Sequence, residues 1–180
     1  MNKPGRGKIL VSEPFLEDPN FRRTVIVIVD HGTEGTVGYV LNHETVLRVA
    51  DLFDDFESEE PVFLGGPVGQ NSFHYLHNIE NLEGTTKIMN GVFWGGDFEQ
   101  LQYFLKEDLS GEIQIRFFAG YSGWAPEQLG NEIELKSWIV AEGMESDIFG
   151  NPNSLWKRIL GRLGGEFAWL GNAPDDVHLN

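Results

Sequence analysis

Thr24-Val25-Ile26-Val27-Ile28-Val29-Asp30 is the stretch from which the fold is read. Its β-branched run leaves no polar face, so the segment suits a central strand covered on both sides. His31-Gly32-Thr33-Glu34-Gly35 then reads as a turn and Thr36–Leu41 as a second strand, which makes the pair a hairpin. Working outward, Lys8–Ser12, Pro61–Leu64, Phe73–His77, Thr85–Met89, Gly91–Trp94, Ser137–Ala141 and Phe167–Leu170 read as further short strands. Ile113, Ile115 and Phe117 alternate with Gln114, Arg116 and Phe118, the pattern of a half-buried strand. Helical spacing is rarer. Val46, Val49, Ala50 and Phe53 share one face behind Thr45 as N-cap. Asp97 precedes Phe98, Leu101, Phe104 and Leu105, with Gln100 close to completing a capping box and Ser110-Gly111 as the stop. Pro126 starts a short helix carrying Leu129 and Ile133. Leu155, Trp156, Ile159, Leu160 and Leu163 form another helical face, capped by Asn153 or Ser154 and ended by Gly164-Gly165. Clustered strands with helices between the clusters predict an α+β fold with a mostly antiparallel or mixed sheet, not a doubly wound parallel one.

The length of 180 residues fits one domain, residues 1–180, with 1–7 and 172–180 as flexible tails. Thirteen Lys and Arg against 28 Asp and Glu give a net charge of -15, which repels phosphate. Direct nucleic-acid binding is therefore not expected. The basic residues form two modest groupings: Lys3, Arg6 and Lys8 with Arg22 and Arg23, and Lys157, Arg158 and Arg162. The acidic run Asp51, Asp54, Asp55, Glu57, Glu59 and Glu60 reads as a solvated helix end and loop, with a cation or basic partner as the alternative. The absence of cysteine excludes a disulfide scaffold, thiolate zinc, iron–sulfur ligation and a Cys nucleophile, and fits a reducing compartment. No apolar run approaches the ~20 residues of a membrane helix, and no charged-then-apolar leader opens the chain. The expectation is a soluble, cytoplasmic protein with no membrane partner.

The motifs narrow the chemistry without naming it. Gly65-Gly66-Pro67-Val68-Gly69 lacks the Lys-Ser/Thr of a phosphate loop and reads as a tight turn or a close backbone approach. Gly120-Tyr121-Ser122-Gly123-Trp124 is close to a hydrolase elbow but has Trp where the last Gly belongs. His74 and His77 are three apart, so on a strand they face opposite sides and do not chelate together. No metal site and no cofactor is expected. Trp94, Trp138, Trp156 and Trp169 read as packing anchors. Trp124, in its Gly-rich turn beside Pro126, reads as core packing or as the lining of a ligand surface.

Taken in order and spacing, these blocks resemble the AlgH/YqgE family of small bacterial proteins, from about residue 7 to 170. The blocks are Gly7–Ser12 with Asp18-Pro19-Asn20-Phe21 and the Thr24–Val29 strand, Gly35–Asn42, Gly65–Val68 followed by Leu76-His77, Gly95-Gly96-Asp97, and Gly120–Trp124 with Gln128-Leu129. Trp138 and Trp156 complete the set. Three positions depart from the family's pattern: Ser122 replaces a small apolar residue, His43-Glu44 a basic residue and Pro, and Asn71-Ser72 an Arg-Gly pair. The resemblance implies an α+β fold with a strongly bent, partly closed sheet flanked by helices, and a cytosolic protein of a family described as transcriptional regulators. It carries over no catalytic residues. It does carry over a candidate binding surface: Asn42, Gly65, Gly66, Pro67, His77, Gly120, Tyr121, Gly123, Trp124 and Gln128.

Three readings follow. In the first, the glycine-flanked turns meet at one sheet edge and hold a small molecule or a protein partner. In the second, the glycines serve only to build the sheet of a scaffold protein. In the third, the protein is a hydrolase or transferase using His77 or Ser122, which requires His77 to reach an acid and open onto a cleft. The oligomeric state is not legible in the sequence.

Overall fold

The computed structural model describes residues 3–56 and 58–171. The acidic-run residue Glu57 and the expected tail 172–180, with His178, lie outside them. Ten strands are β1 (Lys8–Ser12), β2 (Val25–Gly32), β3 (Gly35–Val40), β4 (Glu44–Arg48), β5 (Pro61–Leu64), β6 (Val68–His77), β7 (Thr86–Met89), β8 (Val92–Trp94), β9 (Ile115–Trp124) and β10 (Trp138–Glu142). Five helices are α1 (Phe98–Glu107), α2 (Gln128–Glu134), α3 (Glu145–Phe149), α4 (Leu155–Leu163) and α5 (Gly165–Leu170).

The sheet runs β10-β1-β2-β3-β9-β6-β8-β7, and β5 joins it by pairing with both β9 and β4. Every pairing is antiparallel except β5 with β9. The class is α+β and the sheet is mixed and mainly antiparallel, as the periodicity predicts. Its two ends, β10 and β7, do not pair, so the sheet is not closed. They nevertheless approach each other: a methyl group on Gly7 would stand 2.7 Å from the Ile88 carbonyl oxygen, and one on Gly143 would stand 2.7 Å from Met89 Cε.

The run in β2 does what its composition demands. Val25, Val27 and Val29 enter one core, with Tyr39, Leu41, Leu76, Phe118 and the apolar face of α4. Ile26 and Ile28 enter a second core on the opposite side, with Trp124, Leu129 and Trp138 under α2. A third core, around Phe117, Tyr75 and Leu101, lies on the outer side of β6 and β9 beneath α1. Arg116 ties these parts together from a buried position. It donates to the Leu41 carbonyl at 3.1 Å and to the Gly150 carbonyl at 2.7 Å, and lies 4.4 Å over the Phe63 ring. Burial pushes its pKa down to about 10, against the pull of Glu44 and Glu60.

Several elements differ from the sequence reading. Phe167–Leu170, read as a strand, belongs to helix α5. Gly164 and Gly165 both have positive φ and turn the chain out of α4 into a new helical turn, and Phe167 and Leu170 pack on the first core at helical spacing. Residues 45–53, read as a helix, are β4 followed by a single 3-10 turn over Val49–Asp51. Pairing with β5 overrides the local apolar spacing, and Val46 is left 94% exposed. α2 begins at Gln128, because Glu127 adopts φ +64. Gln100 accepts from Glu83 N–H and so does not close a box with Asp97, although Asp97 does cap Gln100 N–H at 2.8 Å. Arg6 and Gly7 lie against β2, with Gly7 N–H on the Ile28 carbonyl at 2.8 Å and Arg6 paired with Asp30 at 2.9 Å. Among the described residues, no helix is long and apolar enough to cross a membrane.

Candidate functional site

Strand β9 is the axis of the site. Its first half pairs with β5 on one side and β6 on the other, and its second half pairs with β3. The exchange of partners happens at Gly65 and Gly120. Gly65 N–H donates to the Ala119 carbonyl at 2.9 Å, and the Gly65 carbonyl accepts from Val40 N–H at 2.9 Å and from Ser122 Oγ at 3.1 Å. A methyl group on Gly65 would strike the Gly120 carbonyl, and one on Gly66 would strike the Tyr121 peptide. One on Gly120 would lie 2.8 Å from the Val68 carbonyl oxygen. The close-approach reading of the Gly-Gly-Pro turn therefore has a physical basis here: three backbones cross where no side chain fits.

Gly120 also has φ +69. This left-handed residue breaks the alternation of β9, so that Phe118 and Tyr121, three apart, both reach the first core. Tyr121 is thereby brought to the wall of an open cleft of about 410 Å³, whose lining includes Asp30, Glu34, Val37, Val68, Gly123 and the edge of Trp124. The rim is acidic, with Asp30 held by Arg6. A larger concavity of about 980 Å³ lies away from all of these motifs, between residues 54–60 and the end of α1, and is lined by Asp54, Asp55, Glu59, Glu60 and Asp108 among others. Four of these carboxylates share the 54–60 segment and Asp108 follows α1, yet among the described residues no group of three His, Asp or Glu is placed to hold a metal ion.

The expected surface residues divide. Gly65, Gly66, Pro67, Gly120, Tyr121, Gly123 and Trp124 gather at the strand crossing, where Gly65, Gly66 and Gly120 are buried and Pro67 and Gly123 are exposed. Trp124 is only 6% exposed and belongs to the second core. Its indole N–H donates to Glu132 Oε2 at 2.9 Å, as does that of Trp138 at 2.8 Å. Gln128 is exposed, donates to Glu132 Oε1 and accepts from Ala125 N–H, so it closes the α2 turn. Asn42 stands five residues beyond Val37, about 16 Å along an extended chain. Its amide pairs with the backbone of Arg23 and Val25. His77 lies at the far end of β6 opposite Ile115. Asn42, His77 and the Tyr121–Gln128 turn do not converge on one surface.

His77 meets neither condition for catalysis. It is fully buried, with Nε2 on the Gly95 carbonyl at 2.8 Å and Nδ1 accepting from Ile79 N–H at 3.1 Å. Burial lowers its pKa against the opposing pull of Gly95. Ser122 is fully buried on the Gly65 carbonyl. The sequence reading missed Val37, Val68, Asp30 and Glu34 as neighbours of Tyr121, because the Gly120 geometry that assembles them leaves no mark in periodicity. It also missed Tyr39. This side chain is fully buried, and its hydroxyl has no hydrogen-bond partner among the described residues, the Trp94 side chain standing beside it.

Comparison with known proteins is consistent along the whole chain. A family model described as AlgH-like matches residues 9–168. A UPF0301 protein of Cytophaga hutchinsonii is 39% identical over 179 residues, covering 97% of this chain and 98% of its own. One of Bacteroides fragilis is 39% identical over 184 residues, covering 98% and 92%. The crystal structure of protein DIP2367 from Corynebacterium diphtheriae superposes with a TM-score of 0.81 at 25% identity, covering 96% of this chain and 94% of that one. The solution structure of AlgH from Pseudomonas aeruginosa gives a TM-score of 0.72 at 22% identity, covering 98% and 100%.

Proposed function

The chain belongs to the AlgH-like family, and from that premise we propose that it is a cytosolic binding protein of regulatory type, acting through a small molecule or a protein partner and not through direct contact with DNA. The observation that carries this reading is the interlock of Gly65, Gly66 and Gly120, which delivers Tyr121 to the wall of a cleft. An aromatic face beside Val37 and Val68 offers apolar contact, and the Asp30 and Glu34 rim selects against anions. The ligand class is therefore uncharged or cationic.

The test is a thermal-shift screen of metabolites sorted by charge, run on the wild type and on Tyr121→Ala. A ligand at a hundred times its Kd adds about 2.7 kcal/mol to stability. Neutral or cationic compounds should raise the wild-type Tm and leave the variant unmoved. If only carboxylates or phosphates act, or if the shift survives in Tyr121→Ala, the cleft is not the binding site. If no compound acts while Tyr121→Ala simply lowers Tm, the scaffold reading takes its place.

A further inference from the structure

Ser72 and His74 stand two apart on β6, and a strand puts such residues on one face. Ser72 Oγ lies 2.9 Å from His74 Nε2 and 2.6 Å from the Gly69 carbonyl oxygen. The imidazole is held in place by packing: the Tyr39 ring is 5.3 Å away and the Tyr121 ring meets it edge-on at 6.0 Å. Both Ser72 and His74 are half-buried, unlike Ser122 and His77. The β6 register against β9 shifts between Val68 and Phe73, and Gly69 sits in that irregular stretch with φ +55. A methyl group on Gly69 would meet Ser72 Oγ at 3.2 Å and Tyr121 Cε1 at 3.4 Å. The hydroxyl and the phenol ring thus flank one α-carbon, beside the cleft that Val68 and Tyr121 line.

We propose that Ser72 and His74 act as nucleophile and general base toward a small, uncharged, activated acyl ester that enters from the cleft beside Tyr121. The hydroxyl has one proton and two acceptors within reach. At rest the shorter contact places it on the Gly69 carbonyl, and reaction requires it to turn to His74 Nε2, with the other ring nitrogen protonated. Ser72 Oγ then bonds to the acyl carbon while its proton passes to His74. The ester C–O bond breaks, and the leaving alkoxide takes that proton from His74. Water, deprotonated by the same imidazole, attacks the acyl-serine, and the carboxylic acid leaves as Ser72 regains its proton. Burial lowers the pKa of His74, which keeps the base free near neutral pH.

The inference goes beyond the binding reading, since it needs a reactive serine and not a retained ligand. The probe is an uncharged alkyl fluorophosphonate, which forms an Oγ–P bond as the P–F bond breaks and HF departs. The modified residue is located by peptide mass spectrometry. One adduct is expected, on Ser72, absent in Ser72→Ala and unchanged in Ser122→Ala. In His74→Gln the labelling rate should fall about a hundredfold, with Tm as the check on folding. In the wild type alone, the rate should fall with a single ionisation as the pH drops. An adduct elsewhere, no adduct, a pH-independent rate or an unchanged rate in folded His74→Gln overturns the proposal. The two readings fail separately: a ligand-induced Tm shift that is kept in Ser72→Ala supports the binding reading alone, whereas an adduct on wild-type Ser72 with no ligand shift supports this one alone.

Discussion

The two nitrogens of His77 meet a carbonyl and an N–H, a pattern that only the neutral ring with Nε2 protonated satisfies. Its pKa in the folded chain lies below the ordinary 6.5 because burial disfavours the charge. Above pH 6.5 both folded and unfolded chains carry the ring neutral, so its contribution is constant. On acidification the unfolded chain takes up the proton first, and stability falls by up to about 1.4 kcal/mol per pH unit for each such histidine. His43 and His74 are shifted in the same direction by the same cause. The urea midpoint should therefore drop between pH 7.5 and 5.5, and His77→Gln should make the dependence shallower; equal slopes would mean that the ring titrates freely in the fold. At this scale the sequence offered residue types but not their partners. A motif points to His77, and nothing in the motif says that the Gly95 carbonyl, across the β6–β8 ladder, accepts the hydrogen bond from its Nε2–H.

Strand β9 illustrates what is legible in an element and what is not. Alternation from Ile113 to Phe118 announced a half-buried strand, but the element runs on to Trp124. The alternation stops because Gly120 changes the face, so the pattern fails where the site is made. Gly120→Ala meets both a strained φ and two carbonyl oxygens within 3 Å. It should cost about 3 kcal/mol, seen as a lower urea midpoint and Tm. Gly130→Ala, inside α2 with open space around the new methyl group, should instead raise stability by about 0.5–1 kcal/mol. If the two substitutions moved stability alike, the crossing at Gly65 and Gly120 would not be tight. Helices α1 and α4 are legible from their apolar faces, the Asp97 cap and the Gly164 stop, whereas Ser154 at the start of α4 adopts φ +62 and makes no side-chain capping bond and α1 already ends at Glu107, before Ser110-Gly111. Helix α5 and strand β4 were not legible, because packing partners decided them.

For the whole molecule, charge was the most legible property and topology the least. The chain's net charge is -15, and three residues of the two basic groupings are engaged in internal ion pairs. Arg6 binds Asp30 and Lys8 binds Glu142. Arg162 grips the buried Asp147 through two hydrogen bonds of 2.8 and 2.9 Å. No anisotropy change is expected when the protein is titrated into labelled duplex DNA at 150 mM salt, an order-of-magnitude physiological ionic strength; saturable binding with a steep salt dependence would refute that. The α+β class came from local periodicity. The cleft did not, because its walls come from segments that lie far apart in the chain and meet only through β9.

That strand has a consequence for how the protein is made. β3, β5 and β6 each depend on β9 for an edge, yet β9 begins only at Ile115. While the ribosome is still translating the segment before it, these three strands have emerged with unfilled hydrogen-bonding sides. A nascent chain of this protein is therefore at its most vulnerable to mispairing late in synthesis, and one residue range, 115–124, ends that exposure.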